Sequence, residues 1–260
     1  MSMVTLESVS KTFQQRAFFS RAVKEETHAL KNVSLALSAG EVLGLLGPNG
    51  SGKSTTLKLV STVLLPDRGR VTVEGFDTHH HGHEVCKRVG FALASERSFF
   101  PRLTARENLE FSAALEDVPH RDCRLRAERA LQQVGLLDAV SKQVMKFSSG
   151  MHQRLGIARA LLKRPSVLLL DEPSRSLDVA AACQLWQMIH ELSASGIAVL
   201  LATHNFAEAS EVCHRIAILQ KGSLISTVRA RNSSERQLRE SYLQLTREQN
   251  FAVWSEEVPA

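Results

Sequence analysis

Two apolar runs, Val167–Leu170 and Ile197–Ala202, show no polar alternation. Uninterrupted runs of that length fit strands buried on both faces, as in a parallel sheet. Helix-like stretches accompany them. One begins near Ser148 and is stopped by Pro165; another, Val179–Ser195, is ended by Gly196. Such alternation predicts a parallel sheet covered by helices on both sides. Upstream, residues 3–46 carry short apolar stretches between polar ones and read as β-rich, with Glu41–Leu46 as one strand. Within them Gln14–His28 is charged and aromatic, a loop or a hairpin extension. Val71–Val73 is a further short strand ending near Gly75. Between about 98 and 150 the pattern changes. Thr104-Ala105-Arg106-Glu107 is a capping box, so a helix is expected from Thr104 toward Glu116. A second helix spans Leu125–Val134 and is closed by Gly135. Beyond about Thr227 the chain is polar, with Arg229, Arg231, Arg236 and Arg239, and is expected to be partly loose. The expected division is a main domain over 1–227, containing a helical insertion at about 98–150, and a polar extension over 228–260.

Between the strand at Glu41–Leu46 and a helix beginning near Ser54 lies Gly47-Pro48-Asn49-Gly50-Ser51-Gly52-Lys53-Ser54. This is the phosphate-loop pattern G-x-x-x-x-G-K-[ST]. Its glycines let consecutive backbone N–H groups turn toward one anion, where a Cβ would obstruct. The following helix points its positive end at the same place. Lys53 reaches the β- and γ-phosphates as a mobile point charge, and the Ser54 hydroxyl is placed to ligate Mg²⁺. Thr55, next along, belongs to the same nucleotide site. The strand Val167–Leu170 ends in Asp171 and Glu172. Ligands of parallel sheets sit beyond the carboxyl ends of the strands. Asp171 is thus placed for the Mg²⁺ shell, and Glu172 to polarise the water that attacks a γ-phosphate.

Bulk properties add limits. With 260 residues, 43% hydrophobic and 23% charged, the chain is an ordinary globular one with enough length for a sizeable core. No apolar run approaches the ~20 residues that span a bilayer. The first residues, Met1-Ser2-Met3-Val4, do not resemble a signal peptide, so a cytosolic location is expected. Net charge is +5, mildly basic, which suits a nucleotide binder and is alone weak evidence for DNA or anionic lipid. Cys86, Cys123, Cys183 and Cys213 are dispersed and read as reduced structural cysteines. His79-His80-His81-Gly82-His83 reads as a polar loop rather than a metal site, since no carboxylate–cysteine cage accompanies it. Arg121, Arg124, Arg126 and Arg129 read as a solvated helix face.

With these motifs the chain resembles the ATP-binding subunits of ABC transporters over about residues 3–225. The family's signature, LSGGQ, has its counterpart in Phe147-Ser148-Ser149-Gly150-Met151, where Ser148 and Gly150 match and the other three depart. Ser148 can still cap the following helix, whose N-terminus would face an anion. The resemblance implies that Ser148 and Gly150 bind the γ-phosphate held by another subunit. It therefore implies a homodimer or pseudo-dimer that sandwiches two ATP. Ser176-Leu177-Asp178 looks like the family's D-loop, with Asp178 at the interface; His204, after Thr203, like its switch histidine; and Phe13 like the aromatic that stacks on adenine. The usual Mg²⁺-touching Gln is replaced by Ser95, beside Glu96.

The resemblance implies an α/β fold: a P-loop NTPase core with a mostly parallel sheet, an N-terminal antiparallel β subdomain and a helical subdomain. It implies an ATPase using ATP and Mg²⁺, lying peripherally on the cytoplasmic side of the cell membrane. Its partner would be an integral membrane transporter subunit, with no nucleic acid involved. The run Phe99–Leu109 is similar to that of bacterial exporter-type subunits, and Phe99 and Phe100 are expected to anchor that docking. The alternative is a soluble ABC ATPase acting as an assembly or regulatory module, as in iron–sulfur assembly; the run Thr203–Ala209 resembles the transporter subunits more.

Overall fold

The structure, a computed structural model, describes residues 2–16, 23–93, 99–230 and 233–256. Strands β1 (Ser2–Arg16) and β2 (Val23–Ser38) form a long antiparallel hairpin, with Gln14 opposite Glu26. The described parts of the Gln14–His28 segment, residues 14–16 and 23–28, thus extend the paired strands, and residues 17–22 lie outside the described residues. β4 (Arg68–Val73) and β5 (Phe76–Asp77) complete a four-stranded antiparallel sheet in the order β2-β1-β4-β5.

The second sheet carries the motifs. β3 (Val42–Leu46), β6 (Val89–Leu93), β7 (Val167–Asp171), β8 (Ala198–Thr203), β9 (Arg215–Gln220) and β10 (Ser223–Arg229) lie in the order β10-β9-β3-β8-β7-β6. Every pairing is parallel except β10 with β9. Its apolar runs lack alternation because both faces are covered. Leu168, Leu170, Val199, Leu201, Ile216 and Ile218 face the core beneath the helices. Their neighbours Val167, Leu169, Leu200, Ala217 and Leu219 face the other core, shared with the antiparallel sheet. A one-residue slip would exchange the two sets.

The helices are α1 (Lys53–Val60), α2 (Gly82–Arg88), α3 (Ala105–Leu115), α4 (His120–Gln133), α5 (Ser149–Leu161), α6 (Val179–Ala194), α7 (Phe206–Val212) and α8 (Glu235–Glu256). The capping box of α3 forms as read. Thr104 Oγ1 accepts from the Glu107 N–H at 3.2 Å, and the Thr104 N–H donates to Glu107 Oε2 at 2.7 Å. α4 starts at His120, earlier than the apolar pattern indicated, because its buried stripe begins with Cys123 and leaves Leu125 exposed. His79–His83 is the turn into α2: Asp77 Oδ1 accepts from the His79 N–H at 2.8 Å.

One expectation is corrected. Much of the polar tail, Glu235–Glu256, forms α8 where a partly loose segment was expected. Its Leu238 is buried, and Tyr242 meets Phe206 of α7 edge to face, ring centroids 5.3 Å apart. Sparse apolar positions sufficed because they share one helix face.

Candidate functional site

The phosphate loop leaves the carboxyl end of β3 at Gly47 and enters α1 at Lys53. Two glycines are there for different reasons. A Cβ on Gly47 would collide with the Leu219 carbonyl of β9. Gly52 has φ +106°, and a Cβ there would lie 2.6 Å from Leu30 Cδ2 of β2. The loop is therefore wedged between both sheets, and only glycine lets it approach. Helix α1 has no side-chain cap. Its first N–H groups are left for a ligand, which makes an anion site.

Lys53 folds back over its own loop, with Nζ donating to the carbonyls of Gly47 at 2.8 Å and Pro48 at 3.1 Å. Nζ also lies 3.9 Å from Glu172 Oε1. Burial lowers the ammonium below its ordinary value, although Glu172 and Asp171 both favour its charge. An under-solvated cation of this kind favours arrival of a phosphate. Ser54 Oγ donates to Asp171 Oδ1 at 3.1 Å. Burial pushes the Asp171 carboxyl up; the Ser54 hydrogen bond opposes this and the nearby Glu172 charge adds to it.

Glu172 sits just past β7 with φ +52°, a left-handed conformation that costs a non-glycine residue free energy. Its N–H is fixed to the Ala202 carbonyl at 2.8 Å. The bend turns the carboxylate inward, where Oε2 meets His204 Nδ1 at 2.5 Å. One carboxylate thus faces Lys53 through one oxygen and His204 through the other. These groups line one cleft of about 570 Å³, together with Asn49, Gly50, Thr55 and Phe13. Phe13 is 41% exposed, so its ring is open to a stacking partner.

Ser148, Gly150 and Asp178 are not among the residues lining this cleft. Ser148 caps α5 through the Met151 N–H at 3.3 Å, and Asp178 caps α6 through the Ala181 N–H at 2.8 Å. Gly150 faces Ala181, 3.1 Å from where its Cβ would stand, so the two helix N-termini lie side by side. Ser95 lies outside the described residues, as does Glu96. The two adjacent phenylalanines separate. Phe99 is 7% exposed and belongs to the core, whereas Phe100 is 48% exposed and packs edge-on against the equally exposed Phe111, 5.1 Å between centroids. The reading missed Arg175, which lines the cleft from the loop after Glu172, and Glu208, fully buried on α7. Neither carries a periodicity signal. Both follow a site residue closely in the chain, Arg175 after Glu172 and Glu208 after His204, but nothing in their residue types marked a role.

The family model described as ABC transporter matches residues 30–175. The chain is similar to NatA, an ABC transporter ATP-binding protein of Bacillus subtilis. That protein is 33% identical over 86% of this chain and 88% of its own length. DrrA2, a daunorubicin resistance ATP-binding protein of Streptomyces coeruleorubidus, is 39% identical over 77% of this chain, which spans only 62% of it. The ATP-binding cassette MJ0796, solved as a dimer bound to ADP and Pi, superposes with a TM-score of 0.74 at 29% identity, covering 89% of this chain and all of that one. The chain belongs to the ABC transporter family as an ATP-binding, ATP-hydrolysing protein. Its fold is the family's P-loop ATPase fold, a mixed sheet with an antiparallel sheet and helices.

Proposed function

We propose that this subunit closes with a second copy or a close relative on two MgATP, and that their hydrolysis drives export by a separate membrane subunit. The observation that carries the reading is a division of labour. One chain assembles a phosphate cleft at α1, yet holds Ser148, Gly150 and Asp178 elsewhere, at the N-termini of α5 and α6. A second chain placing those termini over the cleft would complete it. The dimer of MJ0796 is a precedent.

In this reading the Gly47–Thr55 backbone binds the phosphates, and Lys53 exchanges its two loop carbonyls for phosphate oxygens. Phe13 stacks on the adenine. Ser54 Oγ and Asp171 Oδ1 are adjacent hard oxygens, a donor set that suits Mg²⁺ with phosphate oxygens and water completing its shell. Such an ion would neutralise charge developing on the β- and γ-phosphates. Ser95 would join it. Glu172 takes the proton of the attacking water, and His204 holds that carboxylate and orients the γ-phosphate. The ATPase core and helical insertion would form the body over 1–227, with the segment from 228 as an extension.

No helix among the described residues is long and apolar enough to cross a membrane, and the reading assigns the membrane passage to a separate subunit. The exposed Phe100–Phe111 pair offers an apolar anchor for it, and the protein would sit peripherally on the cytoplasmic face. The export direction is supported by the resistance protein among the relatives. The transporter names of those relatives favour this reading over an assembly ATPase.

Glu172→Gln tests it. The variant should bind ATP, lose roughly 10²–10⁴-fold in turnover, and run as a dimer in size exclusion with MgATP. Monomer elution at saturating ATP with wild-type turnover would reject both the base and the sandwich.

A further inference from the structure

Glu208 lies in the first turn of α7 and is 0% exposed. A carboxyl so deep is costly unless it is paired or neutral. No cation pairs with it among the described residues; the charge acting on it is that of Glu172, which repels. Burial first, and the Glu172 charge last, favour the neutral acid, while Thr203, Ser174 and Trp186 oppose them. An apolar residue would fill this space at lower cost.

Its surroundings give the carboxyl a task. Trp186 Nε1, on α6, donates to Oε1 at 3.3 Å. The hydroxyls of Thr203 and Ser174 are its other polar neighbours, while Oε2 has no partner within hydrogen-bonding distance. Thr203 immediately precedes His204, and Ser174 stands two residues after Glu172. Asn205 caps α7 directly after His204, accepting from the Ala207 N–H at 2.9 Å. The carboxyl therefore stands where four segments meet: the end of β8, the loop after β7, α6 and α7. Those segments hold the two members of the Glu172–His204 pair, and α6 is capped by Asp178. A second tie, His190 Nε2 with the Glu211 carbonyl at 3.1 Å, joins α6 and α7 a turn or so further on.

We propose that Glu208 is a positioning residue for ATP hydrolysis, its buried carboxyl fixing α7 and Trp186 so that His204 and Glu172 hold their mutual geometry. The proposal rests on the ATPase reading above. A hydrogen-bonding carboxyl here aligns groups that do not themselves touch it, and small misplacements at a reacting centre are costly in rate.

The test compares Glu208→Gln, which keeps shape and hydrogen bonding, with Glu208→Leu, which keeps bulk alone. Turnover, ATP affinity and thermal midpoint are measured on the full chain. Gln should stay within about twofold of wild type in kcat, and Leu should lose tenfold or more, with ATP affinity within about twofold. A purely structural residue would lower the midpoint and active fraction without that split. A folded Leu variant with wild-type kcat overturns the proposal, as does an equal loss in both variants. Should Leu fail to fold, Trp186→Phe decides: a severalfold fall in kcat at unchanged affinity and midpoint supports it, and unchanged kcat overturns it. Glu172→Gln run alongside separates the two readings. If that variant keeps wild-type turnover, the ATPase reading has failed; if it is slow while Glu208→Leu is fast, the positioning role alone has failed.

Discussion

The cleft at the carboxyl ends of β3, β7 and β8 and the surface at the N-termini of α5 and α6 treat the N–H groups of a helix start in opposite ways. At α1 the N-cap is Gly52 and no side chain closes the helix end. Around it Lys53, Glu172 and His204 are already in contact, and Ser54 is bonded to Asp171. At α5 and α6 the ends are capped by Ser148 and Asp178, and both capping residues face solvent, as does Val179 beside them. The first region is an internal site whose charged side chains meet one another while the N–H groups of α1 stay open to a ligand. The second is a surface with its own groups satisfied, so it needs nothing from its own chain and is open to another. A site assembled across two chains needs that asymmetry, because a half built to satisfy its own chain's cleft would not be free to meet a partner's.

The largest effect should come from the internal region. Lys53→Ala removes charge-assisted contacts to phosphate worth about 1.5–3 kcal/mol each. ATP binding at micromolar concentrations should vanish in a titration with labelled nucleotide. Unchanged affinity would remove Lys53 from the phosphate site.

A smaller effect belongs to a third surface. Phe100→Ser should leave basal ATPase intact and weaken co-purification with the membrane subunit by about tenfold, as for truncation of an interface aromatic. Phe99→Ser, in the core, should instead destabilise the fold by roughly 3 kcal/mol or more. If the two variants behave alike, the separation of core from docking surface is wrong.

The smallest expected change lies far from both regions. Glu41, in the turn before β3, accepts from Arg215 Nε of β9 at 2.5 Å and from the Ser38 N–H at 2.8 Å. Burial alone would raise its carboxyl, but Arg215 and the Ser38 N–H outweigh it and hold the value below the ordinary 4.5. A depressed carboxylate stabilises the fold above its unfolded value, and that stability is lost as pH falls through the folded one. Glu41→Gln should lower the thermal midpoint by a few degrees at pH 7, from loss of a charged hydrogen bond of ~1.5–3 kcal/mol. The gap should close as pH falls below about 4.5. A gap that persists at low pH would assign the effect to packing.

Much of the internal region was legible because its chemistry is local. The phosphate loop, its flanking strand and helix, and the acids ending β7 each occupy a few consecutive residues. Buried parallel strands and the Thr104 capping box also declare themselves locally. Other features depend on distant partners. The hairpin of β1 and β2 reaches Gly52 through Leu30, which no local pattern reveals. α2 hides in a histidine-rich turn, and α8 has too few apolar positions to stand out before Phe206 and Ala230 supply its seat. Glu208 reads as a solvent-facing residue of a short helix, and only the crossing of α6 over α7 buries it. The roles proposed for Ser148 and Asp178 came from resemblance; their caps could be read locally, but the proposed task could not, since it would belong to a second chain.

The most direct test of the shared site mixes two inactive variants. Lys53→Ala disables the cleft of its own chain, and Ser148→Arg blocks the exposed helix end it would offer to a partner. Each alone should be nearly inactive, and Ser148→Arg should still bind ATP. In an equimolar mixture half the dimers are mixed, and each of those pairs the intact cleft of one chain with the intact helix end of the other. ATPase activity should then rise to about a quarter of wild type, one intact site in every mixed dimer. A mixture no more active than its components, or a fully active Ser148→Arg variant, would contradict the two-chain site.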